Sequence, residues 1–77
     1  MNKERRKVLQ DIADKAIDLA GELECVRDEE CEYRDNIPEN LQTSERYEKA
    51  ESAIYSIEEA IEELTRASDN ILEAIEQ

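Results

Sequence analysis

The fold is decided by residues 47–75, YEKAESAIYSIEEAIEELTRASDNILEAI, in which apolar side chains recur in steps of three and four. The stepping positions are Tyr47, Ala50, Ile54, Ile57, Ile61, Leu64, Ser68, Ile71 and Ile75. This pattern is the a/d seam of a heptad repeat, and it predicts an α-helix that packs lengthwise against another helix. Alanines recur every seven residues beside the seam and widen it, as a bundle helix requires: Ala53, Ala60, Ala67 and Ala74.

The first half of the chain has the same period, with more exceptions. Its steps run through Leu9, Ile12, Ala16, Leu19, Leu23, Val26, Glu30 and Tyr33, and the face is broadened by Ala13, Ile17 and Ala20. We therefore predict a single domain over residues 1–77. Helix 1 is expected at about residues 3–34, a bend at about 35–43 and helix 2 at about 44–77.

The bend is predicted from Pro38, which prevents helix 1 from continuing and disfavours helical backbone at Ile37. Asn36 is expected to cap a short turn near Pro38, and Thr43 or Ser44 to cap helix 2. Because the connection is short, the helices must fold back on each other. The predicted fold class is all-α, a long antiparallel helical hairpin.

A second contact is predicted from the apolar positions that one helix pair leaves unused. Two helices that touch along one line bury too little apolar surface to offset the conformational entropy of ordering the chain. The surplus positions are Ala13, Ile17, Ala20, Leu72 and the four alanines beside the helix 2 seam. We expect self-association into a homodimer or larger oligomer, most simply a four-helix bundle.

The distribution of charge along the chain also favours a hairpin. If the bend is centred near residue 39, the basic residues Lys3, Arg5, Arg6 and Lys7 face Glu73, Glu76 and the C-terminal carboxylate. The acidic residues Asp28, Glu29, Glu30 and Glu32 likewise face Arg46 and Lys49. This placement predicts ion pairs between the two helices.

Composition argues against catalysis and against a bound metal. The chain has no His, which is the commonest general base and metal ligand, and its single Gly excludes a glycine-rich phosphate loop. Cys25 and Cys31 are six residues apart, too far to bridge within one helix, and two cysteines without His do not complete a zinc site. We expect no enzyme activity, no cofactor and no metal, with both cysteines reduced.

No apolar run approaches the roughly 20 residues of a membrane span, and no apolar core of a signal peptide follows the basic start. We therefore expect a soluble cytoplasmic protein without a membrane partner. With 10 basic and 22 acidic residues, the formal net charge is −12. That charge argues against direct binding to DNA or RNA.

Two surfaces are candidates for function. Glu58, Glu59, Glu62 and Glu63 form an acidic ridge, which is either a solvated helix face or an imitation of a nucleic-acid backbone. Two chains side by side would carry 24 net negative charges over a helix length of about 50 Å, a density near that of duplex DNA.

The second candidate is the bend, where cationic, aromatic and amide side chains are crowded together. The residues proposed to bind a ligand or partner are Tyr33, Arg34, Asn36, Gln42, Thr43, Ser44, Arg46 and Tyr47. The start of helix 2 presents unpaired N–H groups that favour an anion, Arg34 and Arg46 suit phosphate or carboxylate, and the tyrosines suit stacking on a base. The alternative is a structural bend of caps and ion pairs, with Tyr47 in the core.

The bend segment Asn36-Ile-Pro-Glu-Asn-Leu-Gln-Thr-Ser-Glu-Arg-Tyr47, with the Ala-Ile repeats that follow, resembles a known group. These are small uncharacterised helical-hairpin proteins of phages and mobile elements of Gram-positive bacteria, and the likeness spans essentially the whole chain. The resemblance implies a viral accessory protein in the host bacterial cytoplasm. By analogy, such proteins counteract host defence by sequestering a small nucleotide-type signal or a host defence protein. The alternatives are an acidic DNA mimic and a purely structural coiled-coil oligomerisation module.

Overall fold

Two long helices, packed side by side, make up almost the whole molecule. The computed structural model describes residues Met1–Gln77, with α1 at Lys3–Asp35, a short 3₁₀ turn at Glu39–Leu41, and α2 at Glu45–Glu76. The hairpin measures 60 × 15 × 12 Å and contains no strand. The predicted all-α hairpin is confirmed. Neither helix has the apolar length that is needed to cross a bilayer.

Polar side chains begin both helices. The Asn2 side-chain oxygen accepts a hydrogen bond from the Arg5 backbone N–H at 2.8 Å, and the Ser44 hydroxyl accepts one from the Tyr47 N–H at 3.3 Å. Each satisfies one of the N–H groups that lack a partner within the first turn. Of the two residues proposed to cap helix 2, the structure uses Ser44.

The end of α1 differs in one respect from the expectation. The Asn36 N–H donates to the Glu32 carbonyl at 3.1 Å, so Asn36 closes α1 and does not cap the following turn. Pro38 precedes that turn, which no side chain caps, and the Leu41 N–H donates to the Pro38 carbonyl at 2.8 Å. The proposed Asn36 cap of the turn is therefore wrong. Ile37 is the one buried residue of the connection.

The α2 seam faces α1 as the heptad pattern predicts. All nine of its stepping positions are buried or half-buried, and Ala50, Ile54 and Ser68 are the most deeply covered. Ser68 is the polar member of this set. Its hydroxyl donates to the Ala13 carbonyl across the helix pair at 3.2 Å, so the buried oxygen is satisfied.

The α1 seam keeps four of the eight predicted positions, Leu9, Ala16, Leu23 and Glu30, and is shifted by one residue at the other four. Ala13 and Ala20 are 1 % and 4 % exposed, whereas the predicted seam residues Ile12 and Leu19 are 44 % and 51 % exposed. The reason is steric. The α2 seam contributes isoleucines and leucine, and small side chains on α1 allow the two helices to approach closely around them. The assignment of Ile12, Leu19, Val26 and Tyr33 to the α1 seam is therefore wrong.

Ion pairs do not hold the two helices together. The three that form are Arg27–Asp28 at 3.2 Å, Arg34–Asp35 at 3.1 Å and Lys49–Glu45 at 3.1 Å, and each lies within one helix. The ion pairs predicted between the helices are therefore wrong. Apolar contact along the seam, with the Ser68 hydrogen bond, is what joins α1 to α2.

Candidate functional site: a groove beside the bend

A shallow groove opens between the two helices near the bend. Its volume is about 460 Å³, and it is lined by Glu30, Tyr33, Arg46, Lys49, Ala50 and Ala53. We call this the bend groove. Its volume lies within the range of small-ligand sites, although it is open to solvent along its length.

The helical repeat explains how the α2 side of the bend groove is built. Arg46 lies in the first turn, and Lys49, Ala50 and Ala53 follow at the third, fourth and seventh positions after it, on one face of the helix. The two alanines leave room between the helices. Tyr33, 45 % exposed, supplies an aromatic wall from the last turns of α1.

The two cations of the bend groove differ in their surroundings. The Lys49 ammonium pairs with the Glu45 carboxylate at 3.1 Å, one turn earlier. The Arg46 guanidinium has no carboxylate within 4 Å and is exposed. Arg46 is therefore the cation at this end of the molecule that remains available to an external anion.

Arg34 and Tyr47 lie outside the bend groove, in a separate polar group. The Arg34 Nε lies 3.1 Å from an Asp35 carboxylate oxygen, and this hydrogen bond raises the pKa of Arg34. The pKa of Tyr47 is raised mainly by hydrogen bonding to the Glu51 carboxylate, while the nearby Arg34 charge lowers it. Arg34 and Tyr47 thus already interact with carboxylates of the protein itself, Asp35 and Glu51 respectively.

The remaining predicted site residues belong to the connection itself. Asn36 closes α1, and the Ser44 hydroxyl is occupied by its capping hydrogen bond. The Gln42 N–H donates to the Glu39 carbonyl at 3.3 Å and closes the 3₁₀ turn, but the Gln42 side chain is exposed. Thr43 is also exposed. The structure thus brings Tyr33 and Arg46 together in the groove and places the other six predicted residues beside it.

Glu30, Lys49, Ala50 and Ala53 line the bend groove and were absent from the predicted site. The sequence does contain a signal for the three α2 residues. They follow Arg46 by three, four and seven positions, and residues at these intervals share one face of a helix. The heptad pattern predicts Glu30 in the α1 seam, and its half-buried position there brings it to the bend groove.

The acidic ridge lies on the outside of α2. Glu58, Glu59, Glu62 and Glu63 are all exposed, and none forms an ion pair. Glu59 acts on Tyr55, one turn earlier, where hydrogen bonding to the carboxylate raises the pKa of the phenol. The four carboxylates form a patch of negative charge without direct ion pairs.

The thiol and carboxylate side chains do not form a cluster that could bind a metal ion. Cys25 is a free exposed thiol and Cys31 a free half-buried one. No three His, Cys, Asp or Glu side chains lie close enough together to hold a metal ion.

No family model, no curated protein and no solved structure matches the chain. A role is therefore inferred from the bend groove and from the exposed faces of the helices.

Proposed function

We propose that this protein is a non-catalytic binding protein that holds an anionic group in the bend groove. The ligand is a small nucleotide-type signal or a surface carboxylate or phosphate of a host defence protein. The observation that carries the proposal is the free Arg46 guanidinium, which lies in the first turn of α2 beside the Tyr33 ring.

The physical chemistry of this end of α2 favours an anion. Backbone N–H groups of a first helical turn lack partners within the helix, and Ser44 satisfies only that of Tyr47. The positive end of the helix dipole adds to the attraction, and an arginine can bind phosphate or carboxylate through two parallel hydrogen bonds. Tyr33 offers a ring on which a base can stack.

The acidic residues around the bend groove restrict the ligand. Glu30 lines the groove, and Glu45 lies beside Lys49. Their charges repel a polyphosphate, so a ligand with one or two negative charges is favoured. We expect the protein to act by sequestration in the cytoplasm of a phage-infected bacterium, in keeping with the resemblance of its bend segment.

The binding proposal is tested by substituting two arginines that lie in different surroundings. Arg46→Ala removes the free cation of the bend groove, whereas Arg34→Ala removes an arginine that is already paired with Asp35 outside it. The protein is incubated with lysate of infected cells and examined by native mass spectrometry. We expect a retained ligand or host protein with the parent chain and Arg34→Ala, and at least a tenfold loss with Arg46→Ala, the scale of one charge-assisted hydrogen bond. Equal retention by both variants would contradict the proposal.

The hairpin is further proposed to self-associate into a bundle of at least four helices. Only seven of its 77 residues are buried, and no large side chain is fully enclosed. Ten large apolar side chains are more than one-third exposed. A second copy would bury part of this surface.

A second candidate function is supported by the acidic ridge. Its four exposed carboxylates, free of ion pairs, suit a protein that occupies the nucleic-acid site of a host protein. Replacing Glu58, Glu59, Glu62 and Glu63 by Lys tests it, with circular dichroism to show that the helices persist. Loss of anti-defence activity in this variant, with full activity in Arg46→Ala, would favour the mimic over the bend groove.

A further inference from the structure

Four large apolar side chains form a stripe along one side of α1, next to the seam with α2. Ile12, Leu19, Val26 and Tyr33 recur every seven residues, and each is between 44 % and 51 % exposed. At about 1.5 Å per residue the stripe is about 32 Å long. Because the α1 seam is made by Leu9, Ala13, Ala16, Ala20 and Leu23, these larger residues are left without a partner inside the hairpin.

The alanines of α2 lie on the same face of the hairpin as this stripe. Tyr33, from the stripe, and Ala53, from the alanine series, line the same bend groove. Ala60, Ala67 and Ala74 follow Ala53 at seven-residue intervals and therefore continue along that face. One side of the hairpin thus carries apolar side chains from both helices, with Glu22, Glu30, Arg46 and Lys49 beside them.

We infer that this apolar face is the interface with a second copy of the chain, docked antiparallel to the first about a two-fold axis. The inference rests on the proposed self-association and names its surface and orientation. In this arrangement α1 packs against α1 of the partner subunit, and α2 against α2. Large side chains then meet along one seam and alanines along the other.

The surface area of the hairpin supports a second copy as the occupant. The chain exposes 5904 Å², whereas a compact monomer of its 8.9 kDa exposes about 4,800 Å². The excess is about 1,100 Å², and a stable interface buries about 800 Å² on each partner. The hairpin thus exposes more surface than a compact monomer does, and the excess is larger than the area that one partner of a specific dimer buries.

The charge distribution favours the antiparallel orientation. The end next to the bend, residues 28–51, has three basic and nine acidic residues, a net charge of −6. The open end, residues 1–12 and 66–77, has five of each and is neutral. Parallel docking would place the two −6 ends together, whereas antiparallel docking places each against a neutral end.

The spacing of the stripe sets the register. When the stripes overlap fully, Leu19 faces the partner's Val26, and Tyr33 faces the partner's Ile12. The bend groove lies on the same face, so the first turns of the partner's α1 border it. Because the partner's helix borders the bend groove, a small ligand can enter it more easily than a protein surface can. Of the two proposed ligand classes, the dimer therefore favours the small nucleotide-type signal.

The interface is tested with a pair of matched variants on α1. Leu19→Glu places a charge in the stripe, whereas Ile17→Glu adds the same charge at a residue of similar exposure, 46 %, that lies on another face of the helix. Sedimentation equilibrium is expected to give twice 8.9 kDa for the parent and Ile17→Glu, and the monomer mass for Leu19→Glu. A monomeric parent would overturn self-association itself, and a dimeric Leu19→Glu would overturn the assigned face.

The orientation is tested by a distance between spin labels. Cys25 and Cys31 are replaced by Ser, and a label is attached through Gln77→Cys at the open end. Antiparallel docking predicts a separation close to the 60 Å length of the hairpin, and parallel docking about 10–20 Å, which is one to two lateral spacings of packed helices. A short distance would overturn the antiparallel arrangement. Ligand retention by Arg46→Ala is measured separately, so failure of the groove proposal is distinguishable from failure of the dimer.

Discussion

At the scale of single residues, Tyr55 shows how one carboxylate changes the chemistry of a neighbouring side chain. Hydrogen bonding to the Glu59 carboxylate raises the pKa of Tyr55 in the folded protein. A raised pKa means that the folded state holds the phenol proton more tightly than the unfolded state does. The resulting stability is present below the ordinary tyrosine pKa of about 10 and is lost as the pH rises through the folded value.

We predict that Glu59→Gln lowers the pKa of Tyr55 toward its ordinary value, because the negative charge that disfavours tyrosinate is removed. The measurement is an ultraviolet absorbance titration of tyrosinate in a Tyr33→Phe, Tyr47→Phe background, so that Tyr55 alone contributes. Glu51→Gln, which removes the carboxylate beside Tyr47, serves as the control and should leave the curve unchanged. Identical titrations for the two variants would show that Glu59 does not act on Tyr55.

Gly21 is a residue whose replacement is expected to stabilise the protein. It lies within α1 with helical backbone, and a Cβ added there meets nothing within 4 Å. Gly21→Ala should increase the free energy of unfolding by about 0.5–1 kcal/mol, because the unfolded chain loses conformational freedom. Urea unfolding at one fixed protein concentration measures this. Ala20→Gly, in the neighbouring buried position, should have the opposite sign, and a lower stability for Gly21→Ala would contradict the expectation.

At the scale of the helices, the two seams illustrate different degrees of predictability. On α2 the large apolar residues lie on the seam except for the exposed Tyr55 and Leu72, so the period in the sequence identifies the contact face. On α1 two exposed apolar residues directly precede buried alanines of the seam, Ile12 before Ala13 and Leu19 before Ala20. Apolar character favours the larger residue of each pair, whereas close packing against α2 selects the smaller one.

The α1 seam is tested by introducing leucine at neighbouring positions. Ala13→Leu should destabilise the hairpin by about 1–3 kcal/mol, because Ala13 is 1 % exposed and the added atoms have no room beside α2. Asp14→Leu puts the same side chain on the exposed side of α1 and should have a much smaller effect on urea unfolding. Equal effects at the two positions would contradict the observed seam.

At the scale of the whole molecule, the hairpin is a thin rod with little interior. The helices hold 33 and 32 residues, yet seven residues in all are buried. Because the two helices include most of the chain, far-ultraviolet circular dichroism is expected to show well above half helix. If a second copy completes the core, the thermal unfolding temperature should rise with protein concentration.

The shape of the dimer provides a further prediction. Because the two hairpins are proposed to lie side by side, small-angle X-ray scattering should give a maximum dimension near 60 Å at twice the chain mass. End-to-end association would instead approach about 120 Å, twice the hairpin length. The Leu19→Glu variant is the control, and it should keep the length while the mass and cross-section fall. A maximum dimension near the doubled length would contradict the side-by-side arrangement.

The bend groove was only partly predictable. The sequence predicts all four of these residues as part of the site: Tyr33 and Arg46 line the bend groove, whereas Arg34 and Tyr47 lie apart from it. Adjacent residues on a helix differ by about 100° in direction, so crowding along the chain does not mean convergence in space. Lys49, Ala50 and Ala53 could have been predicted more reliably, because they follow Arg46 by three, four and seven residues and such residues share one face of a helix.

The sequence by itself determined the elements of this protein. Pro38 interrupts the first helix, Ser44 starts the second, and the heptad period of residues 47–75 turns one face of α2 toward a partner, all through local backbone and side-chain chemistry. Only the tertiary structure decided which face of α1 packs against α2 and which apolar residues of α1 stay exposed beside that contact. The physical reason is that the choice depends on how the volumes of two helices interlock, and that depends on both surfaces at once.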